Sequence, residues 1–194
     1  MAQRPGAEGS SPGSDQLETP GPIVERLRAL IRDIPDFPRQ GILFRDITTL
    51  LGNAEAFRSA IDALAAVYRD SGVEVVVGIE SRGFVLGGAL AYVLHVGFVP
   101  VRKKGKLPYR TVSAAYALEY GEAVLEVHAD AITPGQRVLI VDDLLATGGT
   151  AKATAELVER LGGRVVGVAF LIELSELEGS AALGSRPHVS LIRF

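Results

Sequence analysis

The 194-residue chain has no cysteine. That absence removes disulfide frameworks, thiolate nucleophiles and cysteine-ligated zinc together. Histidine is scarce, and His95, His128 and His188 stand far apart without metal-ligand spacing. Neither sign of charge dominates: 20 Lys and Arg face 23 Asp and Glu, a formal net charge of -3. The chain therefore carries no overall electrostatic footprint for nucleic acid or an anionic membrane, and any anion must be bound by a local cluster. Residues 1–22 are rich in Gly, Ser and Pro and lack the apolar block of a signal peptide, so a disordered tail is expected there. One apolar run, Phe84 to Val101, approaches the roughly 20 residues that span a bilayer. Gly97 and Pro100 interrupt it, and it divides better into a buried helix, Phe84 to Leu94, and a buried strand, Gly97 to Arg102. A soluble, cytoplasmic protein is the expectation.

With 47% hydrophobic and 22% charged residues, 23–194 can bury one real core as a single domain. Ile23, Val24, Leu27, Leu30 and Ile31 recur at helical spacing and stop before Pro35. A second helical stripe holds Ala56, Phe57, Ile61, Leu64, Ala65 and Tyr68, and the β-branched run Val73 to Ile79 reads as a buried strand. Further strands are expected at Val138 to Val141 and Val165 to Ile172. Between them lies a helix from Thr150 to Leu161, stopped by Gly162-Gly163. This alternation predicts an α/β fold: a Rossmann-like parallel sheet covered by helices on both faces, with the ligand at the carboxyl ends of the strands. The N-terminal helix and loop would stand outside it as a small hood.

The richest segment is Val138-Leu-Ile-Val-Asp-Asp-Leu-Leu-Ala-Thr-Gly-Gly-Thr150. Backbone N–H groups of Ala146 to Thr150 can wrap a phosphate, Gly148 and Gly149 permit close approach, and a helix start adds partial positive charge. Thr147 and Thr150 add hydroxyl donors. No Lys follows the glycines, so this is not a P-loop, and the spacing does not match a dinucleotide-binding fingerprint. Asp142 and Asp143 can accept hydrogen bonds from vicinal ribose hydroxyls, which suits a sugar phosphate. Alone, such an acidic pair could cap a strand and Gly-Gly could make a turn; together at a strand end before a helix they point to a ligand.

This segment resembles the phosphoribosyl pyrophosphate signature of the type I phosphoribosyltransferases. Phe37-Pro-x-x-Gly-Ile-Leu-Phe-Arg-Asp-Ile47, Glu80-Ser-Arg-Gly-Phe84, Arg102-Lys-Lys-Gly-Lys-Leu-Pro108 and Leu118-Glu-Tyr-Gly121 are similar, in order and spacing, to the adenine-specific branch of that family. The resemblance covers about Ile34 to Leu174. It implies a purine-salvage glycosyltransferase that joins adenine to phosphoribosyl pyrophosphate, giving AMP and pyrophosphate through an oxocarbenium-like transition state. Asp142 and Asp143 would hold the ribose, and Ala146, Thr147, Gly148, Gly149 and Thr150 the 5-phosphate. Ser81, Arg82 and Gly83 belong to a loop facing the pyrophosphate, where family members often carry a non-proline cis peptide. Arg102, Lys103, Lys104 and Lys106 resemble the basic pyrophosphate stretch, although a Lys-rich turn can also be simply solvated. Leu43, Phe44, Arg45, Arg82 and Leu174 would surround adenine, with Phe44 either stacking on the base or packing as an ordinary core ring. Glu119 is the candidate catalytic residue, managing the proton of adenine's imidazole ring once Leu107 to Gly121 folds over the site. Magnesium would be the cofactor, held mainly by substrate and water, with no direct protein ligand and with Asp142 or Asp143 touching it through water at most. The family's habit also implies a homodimer.

Two alternatives use the same Asp142 to Thr150 segment. A transferase for hypoxanthine, guanine or xanthine leaves Phe44-Arg45-Asp46 and Leu118-Glu119-Tyr120 unexplained. A non-catalytic sensor of phosphoribosyl pyrophosphate calls for a DNA-binding helix-turn-helix or a basic face, and neither is visible.

Overall fold

The computed structural model describes residues 21–117 and 122–194. The expected tail therefore lies outside the described residues except for Gly21 and Pro22, and Pro22 already opens helix α1 (Pro22–Arg28). Proline suits that first helical position because its missing N–H would have had no helical partner. The chain next forms a two-stranded antiparallel sheet from β1 (Arg32–Pro35) and β2 (Leu43–Asp46), in which Ile34 faces Phe44. This is the expected hood, built as a hairpin rather than a loop. A short helix α2 (Thr48–Leu51) leads to α3 (Ala54–Tyr68), whose first turn is capped by the Asn53 side chain accepting from the Ala56 N–H at 3.0 Å.

The main sheet grows from the apolar runs. Strand β3 (Val75–Ile79) is buried along its whole length, and helix α4 (Arg82–Leu94) returns the chain to β4 (Gly97–Lys103). Strands β5 (Thr111–Ala117) and β6 (Glu122–His128) follow, then β7 (Arg137–Leu145), helix α5 (Gly149–Arg160), β8 (Arg164–Glu173) and β9 (His188–Arg193). Among the described residues the order is β5-β6-β4-β3-β7-β8-β9. From β4 to β9 every pairing is parallel.

The expected parallel sheet is extended at one side by antiparallel pairing, since β6 pairs antiparallel with β4 and with β5. Part of the Leu107 to Gly121 segment, Thr111–Ala117, thus forms an edge strand among the described residues. Its Ser113-Ala114-Ala115 core has small side chains with weak strand preference, so cross-strand pairing rather than local propensity makes the strand. Strand β9 was not expected either, and β3 begins at Val75 rather than Val73.

Alternation along the strands divides the interior into two layers. Val76, Leu139, Val141, Ala169 and Leu171 pack with α3 and α4, while Val75, Val77, Ile140, Val168 and Phe170 pack with α5. Helices therefore cover both faces, as the βαβ pattern requires. Their N-termini emerge at the same end of the sheet, beside the carboxyl ends of adjacent strands β3 and β7. That end is where the chemistry-bearing residues gather.

Candidate active site

Strand β7 does not stop at the acidic pair. Leu144 and Leu145 continue its pairing opposite Ile172 and Glu173, so Asp142 and Asp143 lie within the strand rather than beyond it, as the expected Val138 to Val141 boundary had placed them. Both are buried, at 9% and 7% exposure. The Asp143 N–H donates to Asp142 Oδ1 at 2.9 Å. Burial, reinforced by the charge of Asp143, pushes the Asp142 carboxyl well above its ordinary range. Asp143 is balanced from the neighbouring turn: Arg82 Nε lies 2.5 Å from its Oδ2. Arg82 opens α4 directly after a cis Glu80-Ser81 peptide, placing this guanidinium at the β3 end of the site.

Glycine makes the approach of these two turns possible. A Cβ on Gly83 would sit 2.9 Å from Asp142 Oδ1 and 2.9 Å from the Val141 carbonyl oxygen. Beyond β7, Gly148 has φ +78° and caps the start of α5. The loop Ala146 to Thr150 thus ends at a helix N-terminus, with Thr147 exposed and Thr150 half-buried. Backbone N–H groups at such a terminus form an anion cradle.

The hood supplies an aromatic wall. Phe44 stands 5.2 Å from Phe37, edge to face, and Arg82 Cζ lies 5.4 Å from the centre of its ring. One chain of contacts, Phe44 to Arg82 to Asp143, therefore crosses from the hood to the acidic pair. Half-buried Leu174 is anchored by its N–H to the Leu145 carbonyl at 3.0 Å, beside the end of β7. Leu43 is exposed next to Phe44.

A phosphoribosyl transferase domain model matches residues 47–181. An adenine phosphoribosyltransferase from Paracoccus denitrificans is 58% identical over 89% of this chain and 94% of its own length. The chain belongs to the adenine phosphoribosyltransferase family. Among solved adenine phosphoribosyltransferases, that of Thermoanaerobacter pseudethanolicus superimposes with TM-score 0.86 at 52% identity, covering 88% of this chain and 99% of that one. The Saccharomyces cerevisiae structure, complexed with D-2,5-dideoxy-2,5-imino-altritol 1,6-bisphosphate and adenine, gives TM-score 0.83 at 41% identity, with 88% and 98% covered. As a member of the adenine phosphoribosyltransferase family the chain is an enzyme, a glycosyltransferase of the pentosyl class.

Within this adenine phosphoribosyltransferase scaffold some expected residues stand apart from the centre. The Arg45 side chain turns away from the Phe44 face and engages Asp33 and the ring of Phe194, its Cζ 4.0 Å from the ring centre. Neighbouring strand residues point to opposite faces, so Phe44 and Arg45 cannot both present side chains to one ligand. Arg102 is occupied, with Nε 2.9 Å from Glu80 Oε2 and Nη1 donating to the Lys106 carbonyl at 3.3 Å. Lys103, Lys104 and Lys106 are exposed on the adjoining turn. That turn is held by Glu126, a buried residue the sequence reading did not select, whose Oε2 accepts from the Gly105 N–H at 2.9 Å. Asp46, part of the Phe44-Arg45-Asp46 stretch, had no role assigned. Its carboxylate accepts from the N–H and hydroxyl of Thr48, which holds its pKa below the ordinary range. The Asp-x-Thr pattern is the signal that could have found it. Glu119, with Leu118, Tyr120 and Gly121, lies outside the described residues.

Proposed function

We propose that this protein transfers the 5-phosphoribosyl group of phosphoribosyl pyrophosphate to adenine, releasing AMP and pyrophosphate. The observation that supports the reading is the contact chain from Phe44 through Arg82 to Asp143, which links a flat aromatic surface, a cation and an acidic pair on the strand that leads to the N-terminus of α5. Asp142 and Asp143 accept the ribose hydroxyls, and Ala146 to Thr150 take the 5-phosphate on backbone N–H groups and the hydroxyls of Thr147 and Thr150. Ser81, Arg82 and Gly83 face the pyrophosphate, with Arg102, Lys103, Lys104 and Lys106 on the adjoining turn. Adenine lies between Phe44 and Leu174, with the backbone of Leu43 and Arg45 toward its edge; Arg82 borders both substrates.

In the reaction the anomeric C–O bond breaks, pyrophosphate leaves with the electron pair, and a C–N bond forms to adenine. Charge on the sugar ring develops ahead of bond formation, so positioning and electrostatics do most of the work. Glu119 receives or hydrogen-bonds the proton that adenine's imidazole ring gives up. Folding of the Leu107 to Gly121 segment over the site would exclude water. The donor set also fits magnesium, because Asp142 and Asp143 offer hard oxygen atoms on β7. Asp142 and Asp143 would hold the ion through water, and it would supply neutralisation of the negative charge on pyrophosphate.

We read residues 23–194 as one catalytic unit and the protein as a cytoplasmic homodimer. The dimer rests on the resemblance; among the described residues no helix is long and apolar enough to cross a membrane. The experiment is incubation with phosphoribosyl pyrophosphate, magnesium and one purine base at a time. Rapid AMP formation from adenine, with little product from hypoxanthine or guanine, is expected; preference for an oxopurine would overturn the reading.

A further inference from the structure

Phe194 ends β9's excursion beside the hood, outside every stretch that carried the resemblance, yet three parts of the base side converge on it. Two guanidinium groups cover its ring, Arg45 with Cζ 4.0 Å and Arg28 with Cζ 4.5 Å from the ring centre. Arg45 is gripped from the β1 side by its ion pair with Asp33, and its side chain is only 18% exposed. The Phe194 backbone brackets Leu174: its N–H donates to the Glu173 carbonyl, and its own carbonyl accepts from the Ser175 N–H, both at 2.9 Å. The ring also packs against the same core layer as Leu30 and Leu174. One residue thus joins β2, which carries Phe44, to the end of β8, where Leu174 sits.

We infer that Phe194 is a positioning residue for the base: acting through Arg45, it sets the separation between Phe44 and Leu174 without touching substrate. The hood is a two-stranded sheet, and such hairpins have little stability of their own. A stacked, partly desolvated cation–π contact on Arg45 limits the hood's freedom to swing, while the phosphate and ribose contacts on β7 and α5 do not depend on it. The inference rests on the base assignment made above.

Phe194→Leu keeps apolar volume but removes the ring face, whereas Phe194→Tyr keeps the face. With each substrate varied against saturating partner, Phe194→Leu should raise the adenine KM about 3- to 30-fold, the range a lost cation–π contact produces. Its phosphoribosyl pyrophosphate KM and kcat should stay within about twofold of the parent, as should all three constants of Phe194→Tyr. Arg45→Lys supplies the same reading with Phe194 itself unchanged, because lysine can still pair with Asp33 but loses the planar stack. An unchanged adenine KM in these variants, or equal rises for both substrates, would overturn the inference; so would a loss in Phe194→Tyr as large as in Phe194→Leu. Phe44→Ala separates the two readings. If it leaves the adenine KM unchanged the base assignment fails, and if it alone raises that KM only the role of Phe194 fails.

Discussion

Replacing Gly148 by alanine should damage both the stability of the fold and the phosphate cradle. The residue has φ +78°, a left-handed conformation that costs a non-glycine residue about 1–2 kcal/mol. Space is a second, independent obstacle. An added Cβ would lie within contact distance of the Gly179 carbonyl oxygen and 2.8 Å from Ala182 Cβ. The conflict is with the backbone of a 3₁₀ turn, Gly179–Leu183, which packs on α5 and cannot rotate aside as a side chain could. Overpacking of this kind costs about 1–3 kcal/mol, so the two effects together predict a loss of roughly 2–5 kcal/mol. Urea unfolding followed by circular dichroism measures it, with Gly88→Ala as the internal control. Gly88 lies inside α4, has an ordinary φ and has nothing within 4 Å of a built Cβ, so alanine there should stabilise by about 0.5–1 kcal/mol. A Gly148→Ala protein within about 0.5 kcal/mol of the parent would refute the argument from backbone conformation and contact. A folded variant with undiminished affinity for phosphoribosyl pyrophosphate by calorimetry would separately remove this loop from the phosphate site.

Glu119→Gln should lower single-turnover rates about 100- to 10,000-fold while leaving phosphoribosyl pyrophosphate affinity nearly intact; a change below about threefold is too small for proton handling. The double Asp142→Asn, Asp143→Asn variant should fold and bind phosphoribosyl pyrophosphate at least about tenfold more weakly, the worth of one lost charged hydrogen bond, and near-normal affinity by titration would exclude the ribose role. The Arg186 guanidinium reaches both oxygens of Glu159 at 2.8 Å and holds that carboxylate below its ordinary value of 4.5. Because the folded-state value is lowered, the pair's stabilisation is present above pH 4.5 and is lost as pH falls through the folded value. Glu159→Gln should therefore be less stable than the parent by roughly 0.5–1 kcal/mol at pH 7, the upper range for an exposed pair. The gap should close on acidification, and a gap that persists well below pH 4.5 would show that the ion pair is not its source.

The elements legible in the sequence are those whose cause is local. The run Val75–Ile79 can satisfy its β-branched side chains only in a strand buried on both faces, and Gly162-Gly163 stops α5 wherever that helix is packed. Asp142, Asp143 and the Ala146 to Thr150 loop are close together in the chain, so the spacing that makes them a candidate site is itself a sequence property. The β5 strand is different, since Ser113-Ala114-Ala115 acquires its extended form from pairing with β6 and not from its own preference. Arg45 shows the same limit at the site. The resemblance sets its segment beside adenine, and strand alternation turns its side chain to Asp33 and Phe194, partners 12 and 149 positions away in the chain. Glu126 under the Lys103 to Lys106 turn, and Gly179 against Gly148, are likewise pairings between segments that meet only when the sheet forms. Local sequence determined which groups could bind phosphate and ribose, because their backbone and side-chain donors are adjacent along the chain. Tertiary packing decided which of the remaining charges are consumed in ion pairs and stacked contacts, because such contacts depend on distances that folding alone creates.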